Sequence, residues 1–244
     1  MSSSQQKAVP IPHIHALCME ERYITALQAA IASHGLSSSV PITYHNCALS
    51  FVEARFDLIV SPANSHGRLD GGFDDAISRS FSPPDDYFAL TRASQALLYD
   101  EWRGFAPPGT CTLLRIPEEF HQRSRNTWGT KYLALCPTMR VPQDVRWNRE
   151  VIYDCMWSLL CSIDKHNRAA GEGGEGERHD EIRSLLTVPM AAGMGEVSPE
   201  KWANQTALAL KHYIDAVEHQ SKWSSLEPDD MAAYAREVEQ TWGM

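Results

Sequence analysis

The sequence predicts a single α/β domain, a three-layer α/β/α sandwich around a mixed, mostly parallel β-sheet. Three observations predict this fold class. Short apolar segments alternate with segments of helical periodicity along the whole chain. The chain has 244 residues, of which 43% are hydrophobic, so it can bury a substantial core. No internal repeat or long linker divides it into two domains.

Composition restricts the classes of function. The formal net charge is −9, and broad nucleic-acid binding is not expected because it requires a basic surface. A small anionic ligand is compatible with this charge, since backbone N–H groups at a helix start can bind a phosphate. No apolar run approaches the roughly 20 residues of a membrane span, so we expect no membrane partner. Six cysteines without a CxxC pair, and no secretory signal pattern, predict reduced thiols in the cytoplasm or nucleus.

The N-terminal part of the chain predicts a strand, a helix and a second strand. Residues Met1–Pro10 are polar and predict a flexible tail. Ile14–Met19 is short and apolar and predicts a strand. Glu20–Ser33 has apolar residues at helical spacing, with Gly35 as its C-terminal cap. Val40–Tyr44 predicts the next strand.

The central part continues the alternation. Leu58–Val60 is a continuous apolar run of the kind found in buried central strands. Phe73–Phe81 predicts a short helix, which two prolines end. Asp85–Trp102 predicts a longer helix whose acidic start suits the helix dipole. Cys111–Ile116 and Tyr132–Cys136 predict strands.

The C-terminal part predicts a long helix over Trp147–His166 and a final strand over Leu185–Pro189. Between them, the glycine- and glutamate-rich residues 168–180 predict a mobile acidic insert. Ser198–Val217 predicts a helix with Ser198 as N-cap and proline at the first position. Asp229–Trp242 predicts a terminal helix. The predicted organisation is therefore a tail over 1–10, a domain over 11–224 and a C-terminal helical segment over 225–244.

The first of two glycine-containing loops, Ser61–Asp75, follows the buried strand at Leu58–Val60. Ligands of open α/β sheets bind beyond the carboxyl ends of the strands. Glycines at 67, 71 and 72 allow a ligand to approach the backbone, and successive free N–H groups attract anions. The loop is therefore a candidate phosphate site. The same residues are also typical of an ordinary helix start capped by aspartates.

The second glycine loop, Pro189–Ser198, has the same organisation. An apolar strand leads into a turn of small residues, and a well-capped helix follows. An ordinary strand–helix connection is the alternative for this loop taken alone. Two such turns together favour a diphosphate ligand, because paired loops can hold its two phosphoryl groups from opposite sides.

Together the two loops resemble the macrodomain family. SPAN followed by GRLDGGFDDAI resembles that family's asparagine loop and the glycine run that opens the next helix. VPMAAGMGEVSPEKWANQTALAL resembles its phosphate-binding loop and the helix after it. The order of the loops also fits, and the resemblance covers most of residues 12–220. It implies ADP-ribose, or an ADP-ribosylated protein, as the binding partner, with no metal and no cofactor.

The resemblance assigns roles in the first loop. Asn64 resembles the asparagine that hydrogen-bonds the distal ribose, and Asp74 the aspartate near the anomeric carbon in hydrolytic members, so these two are the candidate catalytic residues. Backbone N–H groups from Gly71 to Phe73 would contact the diphosphate and the distal ribose. Together with these three residues, the ligand-binding candidates of this loop are Ala63, Ser65, His66, Gly71, Gly72 and Phe73.

In the second loop, residues 192–195 would hold the diphosphate from the other side, and Met194 or Val197 would cover the distal sugar. The ligand-binding candidates here are Pro189, Ala191, Ala192, Gly193, Met194, Gly195, Glu196 and Val197.

The chain departs from the family in two places. The family usually has an aspartate after the second strand, which binds the adenine amino group. Asn46, followed by Cys47, stands there in this chain and could accept the same hydrogen bond without the charge. Ser61 and Pro62 replace the first asparagine of the first loop.

The resemblance predicts hydrolysis of the bond between the distal ribose and a modified group. The transition state at an anomeric carbon is oxocarbenium-like, and a nearby carboxylate favours it. Asp74 would orient or deprotonate the water, while Asn64 fixes the sugar hydroxyls. Two alternatives stay open: a non-catalytic reader of ADP-ribose, and a phosphatase for ADP-ribose 1″-phosphate with His66 as acid or base. A zinc site at His13 and His15 has no third ligand by spacing.

Overall fold

The computed structural model describes residues 11–172 and 181–244, so the predicted tail at 1–10 lies outside the described residues. The strands are β1 (His13–Leu17), β2 (Ile42–His45), β3 (Leu58–Ser61), β4 (Thr112–Arg115), β5 (Tyr132–Leu135) and β6 (Ser184–Thr187). They form one sheet in the order β2-β1-β6-β3-β5-β4. Five are parallel, and β4 runs antiparallel to β5. The predicted mixed, mostly parallel sheet is confirmed.

Helices cover both faces of this sheet. They are α1 (Glu21–Ser33), α2 (Phe73–Phe81), α3 (Ala89–Trp102), α4 (Glu118–His121), α5 (Val151–Glu172), α6 (Pro199–Glu218), α7 (Gln220–Trp223) and α8 (Pro228–Glu239). One apolar cluster joins β-strand residues such as Leu58 and Leu185 to α1, α5 and α6. The other joins Ile59 and Leu186 to α2 and α3. Consecutive strand residues thus face opposite layers, as the three-layer prediction requires.

Three predicted boundaries differ from the structure by four residues or more. Helix α3 starts at Ala89 rather than Asp85, because residues 83–89 form successive turns in which Asp86 N–H bonds to Pro83 O and Ala89 N–H to Asp86 O. Helix α5 starts at Val151 rather than Trp147, because the preceding residues make tertiary contacts. It also continues through the start of the predicted insert to Glu172; residues 173–180 of that insert lie outside the described residues.

The topology leaves a crevice at the carboxyl ends of the parallel strands. Strand β6, although last in the chain, lies between β1 and β3. Helix α6, which follows β6, packs on one face of the sheet, and helix α2, which follows the neighbouring strand β3, packs on the other. Chains that leave neighbouring strands toward opposite faces open a ligand crevice between them.

The C-terminal segment packs on the helical layer. Tyr234 of α8 donates a hydrogen bond to Asp215 of α6, and Trp223 of α7 stacks on Trp157 of α5 at 5.5 Å between ring centroids. Helices α7 and α8 therefore support α5 and α6.

Among the described helices, none is long and apolar enough to cross a membrane.

Candidate functional site

The two glycine loops start from neighbouring strands. Strands β3 and β6 pair in parallel, with Leu58 opposite Leu185 and Ile59 opposite Leu186. Parallel neighbours lie about 4.8 Å apart, so the two loops leave the sheet side by side and at the same edge. The sequence predicted this convergence from the two strand–glycine–helix turns and from the resemblance, and the strand order now accounts for it.

Asp74 lies in the first turn of α2, and its side chain is turned back toward the end of β3. It is only 7% exposed, and Oδ1 accepts a hydrogen bond of 2.6 Å from the hydroxyl of Ser61. Burial raises the pKa of the Asp74 carboxyl to about 7; the Ser61 hydrogen bond lowers it, and the charge of Asp70 raises it. A carboxyl that titrates near neutrality is suited to exchange a proton with a reacting group.

Asn64 shapes its own loop. Its Oδ1 accepts from the backbone N–H of His66 at 3.1 Å and of Arg68 at 3.4 Å, and its Nδ2 donates to Arg68 O at 2.7 Å. Its backbone pairs in parallel with Met139, which extends the β3–β5 ladder beyond the strands. Asn64 is thus held in a fixed orientation at the sheet edge, with one Nδ2 hydrogen left to donate.

Gly71, Gly72 and Phe73 present the backbone of the first loop to solvent. Gly72 has φ 56° and ψ −129°, a conformation that residues with a Cβ rarely adopt. In the part of the chain that the structure describes, the N–H groups of these three residues donate to no protein acceptor. Both glycines are exposed. These donors lie at the start of α2, where the sequence predicted an anion-binding feature.

Ala63 and Ser65, two further candidates of this loop, point inward. Ala63 is 1% exposed and belongs to the apolar cluster beneath α2. Ser65 is fully buried, and its backbone N–H bonds to Met139 O at 2.9 Å. Both residues therefore support the loop through buried contacts and backbone hydrogen bonds within the protein.

His66 lies on the exposed rim beside Asn64. Its Nδ1 lies 3.1 Å from Gly104 O, so it donates there and leaves Nε2 free in the neutral ring. The ring of Phe105 lies edge-on at 5.6 Å, and the guanidinium of Arg140 lies 5.7 Å above that phenyl ring. His66 is therefore an oriented imidazole next to the predicted ribose position.

The second loop presents a similar set of donors. Ala191 and Glu196 have positive φ values of 57° and 56°, which turn the chain sharply on either side of the exposed Gly193 and Met194. Within residues 11–172 and 181–244, the N–H groups of Gly193, Met194 and Gly195 have no protein acceptor. The other predicted donor, Ala192 N–H, bonds to Pro189 O at 3.4 Å within the loop.

The remaining candidates of this loop divide into buried and exposed side chains. Val197 is 2% exposed and donates its N–H to Ala191 O at 3.1 Å, so its side chain packs in the core. Met194 is 65% exposed, and of the two residues predicted to cover the distal sugar it alone is free to do so. Glu196 is exposed and pairs with Arg146 at 3.0 Å. Pro189 is half-buried between β6 and the turn.

Asn46 and Cys47 follow β2 at the far end of the same edge. Asn46 donates through Nδ2 to Cys18 O at 2.8 Å, which ties the end of β2 to the end of β1. Its Oδ1 accepts no hydrogen bond from a described residue, as an adenine-binding role requires. Cys47 is half-buried against the core.

The histidines on β1 do not form a metal site. His13 and His15 stack at 4.6 Å between ring centroids, and His45 on β2 joins them with Nε2 3.0 Å from His15 Nδ1. Burial, together with the neighbouring imidazoles of His13 and His45, lowers the pKa of His15 to about 4. No group of three or more His, Cys, Asp or Glu in the described ranges is arranged to hold a metal ion.

Sequence reasoning missed two residues that complete the site. Ser61 is the hydrogen-bond partner of Asp74, and Val145 donates its N–H to Gly195 O at 3.1 Å behind the second loop. Ser61 could have been found, because it is the first polar residue after the apolar run at the end of β3. Val145 carries no local signal, since its contact with Gly195 spans about 50 residues of sequence.

No protein-family model and no curated protein matches the chain. Solved structures of the macrodomain of Oceanobacillus iheyensis are similar to it. The structure with ADP has a TM-score of 0.47 and 14% identity, over 76% of this chain and 84% of that chain. The structure with MES bound has 0.46 and 13% over the same shares, and a mutant with ADPR has 0.48 and 12% over 81% and 91%. These similar structures are all macrodomains, the family that the two glycine loops resemble.

Proposed function

We propose that the chain binds ADP-ribose at the edge formed by the ends of β3 and β6. One observation carries the proposal: two sets of backbone N–H groups without protein acceptors, at Gly71–Phe73 and at Gly193–Gly195, follow adjacent parallel strands. A diphosphate matches them, because each phosphoryl group can accept from one set. The free Oδ1 of Asn46 suits the adenine end, and Asn64 suits the distal ribose.

We further propose that the protein hydrolyses the bond between the distal ribose and an attached group. Ionised Asp74 accepts a proton from the attacking water as the water oxygen bonds to the anomeric carbon. The bond from that carbon to the attached group breaks, and the group departs with the bonding electrons and takes a proton from solvent. Asp74 then returns the proton it accepted to solvent, so the overall reaction consumes one water. Ser61 holds the carboxylate in place. Asp74 is better suited to this role than its neighbour Asp75, because Asp75 accepts hydrogen bonds from Arg79 and Tyr87.

Replacement of Asp74 tests the catalytic assignment. We expect Asp74→Asn to lower turnover of a mono-ADP-ribosylated protein by about 100-fold or more, the usual contribution of a general base. Binding of free ADP-ribose, measured by calorimetry, should change little, because the donors of both loops are backbone groups. The rate of ADP-ribose release, followed by chromatography, gives the turnover.

Asp75→Asn is the matched control, because it changes the same group one residue along α2. It should retain turnover within a few-fold. Release by Asp74→Asn at the wild-type rate would refute the assignment of Asp74.

A non-catalytic reader is the second candidate. Two observations favour it: Asp74 is 7% exposed, and the side chain of Asn64 is committed to its own loop. Wild-type protein that binds ADP-ribose but releases none from modified protein would be a reader.

A phosphatase for ADP-ribose 1″-phosphate is the third, and the free Nε2 of His66 favours it. Phosphate release from that compound, without release from modified protein, would identify the phosphatase.

A further inference from the structure

The second glycine loop rests on an irregular segment, residues 144–150, that precedes α5. Val145 is fully buried there and donates its N–H to Gly195 O at 3.1 Å. Arg146 pairs with Glu196 at 3.0 Å. These contacts hold the loop on the side where Glu196 adopts its positive φ of 56°. Such a conformation persists only where the surroundings enforce it, so the 144–150 segment helps to fix the loop.

Gln205 of α6 holds the other end of the 144–150 segment. It is fully buried, and Nε2 donates to Arg149 O at 2.6 Å and to Thr241 Oγ1 at 2.9 Å. Its Oε1 accepts from the backbone N–H of Tyr153 at 3.3 Å. Both amide hydrogens and the amide oxygen are therefore used, and one side chain links the start of α5 to the residues just after α8.

The residue after Thr241 makes a second link. The indole Nε1 of Trp242 donates to Glu150 Oε1 at 2.9 Å, and the guanidinium of Arg149 lies 4.7 Å from the indole ring centroid. Thr241 itself is 2% exposed. Thr241 and Trp242 thus hold residues 149–150, which lie four and five residues after Val145 and its contact with the glycine loop.

We infer that the C-terminal residues Thr241 and Trp242 position the second glycine loop through Gln205 and the 144–150 segment. The inference rests on the proposed function, because it assigns the effect to the loop that holds the diphosphate. The physical reason is that only molecules whose loop has the bound shape can bind the ligand. A loop held in its bound shape binds at full affinity, and loosening its support lowers the competent fraction and the apparent affinity together.

The test uses Thr241→Val combined with Trp242→Phe in the full chain. Thr241→Val removes the acceptor for Gln205 with little change in volume, and Trp242→Phe removes the donor to Glu150 but keeps an aromatic ring beside Arg149. We expect hydrogen exchange of the loop amides of Glu196 and Val197 to accelerate about five-fold, the effect of losing about one net hydrogen bond. Affinity for ADP-ribose should fall in proportion to the fraction of molecules whose loop the variant opens, with five-fold as the upper limit.

Two further variants separate positioning from general support. Tyr234→Phe removes a hydrogen bond between α8 and Asp215, remote from the 144–150 segment, and should leave loop exchange unchanged. Thr241→Ser keeps the hydroxyl and should behave as wild type. If the double variant does not fold, Thr241→Val alone gives the same comparison.

Unchanged exchange of the loop in the double variant, or in Thr241→Val alone, would overturn the inference, as would equal acceleration in Tyr234→Phe. Wild-type protein that fails to bind ADP-ribose would instead refute the proposed function, and with it the role of the loop in affinity. Loop exchange would still show whether the C-terminal residues hold the loop, so the two failures are distinguishable.

Discussion

Asp74 combines burial with a short hydrogen bond, and these act on its acidity in opposite directions. Burial penalises the carboxylate and raises the pKa to about 7, while the hydroxyl of Ser61 favours the carboxylate and lowers the pKa. At neutral pH a large fraction of the protein therefore carries an ionised Asp74 that is poorly solvated. A desolvated carboxylate of this kind is a better base than one on the surface.

This balance predicts the pH dependence of hydrolysis. If Asp74 acts as the base, turnover should rise with pH and reach half of its plateau near pH 7. Ser61→Ala removes the hydrogen bond that stabilises the carboxylate, so the pKa of Asp74 rises and the profile moves to higher pH. Turnover measured from pH 5 to 9 in both proteins checks this. A profile that is flat across this range, or that Ser61→Ala moves to lower pH, contradicts the role of Asp74.

At the residue scale, the sequence predicted the types of group better than their partners. Asp74 and Asn64 could be chosen from the loop and its resemblance alone. That Ser61 bonds to Asp74 depends on the turn of α2 back over the end of β3, thirteen residues later. That Asn64 bonds to Arg68 depends on the course of its own loop. Side-chain orientation follows from packing, which no local pattern encodes.

At the scale of elements, local signals predicted the well-capped helices. Ser198 caps α6 by accepting from the N–H of Lys201, and Gly35 ends α1 with φ 71°. The predicted start of α5 at Trp147 was wrong because residues 147–150 belong to an irregular segment that bonds instead to Gln205 and Trp242. Tertiary hydrogen bonds override propensity there, since intrinsic helix preference is weak.

The second loop and the 144–150 segment also predict which glycine is required. A Cβ at Gly195 would lie 2.5 Å from Ala191 O and 2.9 Å from a methyl carbon of Val145, whereas a Cβ at Gly193 meets nothing within 4 Å. We expect Gly195→Ala to lower the free energy of unfolding by about 1–3 kcal/mol, as overpacking does. Gly193→Ala, the matched control, should stay within about 0.5 kcal/mol of wild type.

Urea denaturation of the two glycine variants measures these free energies. Equal stability of the two variants would show that the backbone of the second loop shifts to accommodate a methyl group at Gly195 at little cost in free energy. That outcome would contradict the close packing of the loop against Val145.

At the scale of the whole molecule, the alternation of strands and helices predicted the layers but not the strand order. The insertion of β6 between β1 and β3 brings the two loops together, yet no periodicity in the sequence specifies it. Pairing β6 with both neighbours buries Leu185 and Leu186 on opposite faces. This burial of Leu185 and Leu186 requires segments that are distant in sequence to pair. The position of the site therefore depends on the strand order and not on a local pattern.

Two buried groups give the fold opposing pH dependences. The folded protein binds a proton at Asp74 more tightly than the unfolded chain does, because the pKa is raised to about 7. Its contribution to the free energy of unfolding therefore falls as the pH rises from about 4 to about 7. The folded protein binds a proton at His15 less tightly, because the pKa is lowered to about 4. That contribution falls as the pH drops from about 6.5 to about 4, so the two slopes partly cancel in this range.

Asp74→Asn removes the pH dependence that Asp74 contributes to the free energy of unfolding. The variant should be more stable than the wild type while it loses activity. At pH 4 the buried acid is protonated in the folded state, so variant and wild type should unfold with similar free energies. Above pH 7 the wild type carries the poorly solvated carboxylate, and the neutral amide should be more stable by roughly 2–4 kcal/mol. Denaturation at pH 4, 6 and 8 measures the difference. A constant difference across this range would mean that Asp74 has an ordinary pKa, and the fold would then carry no stability cost for its proposed base.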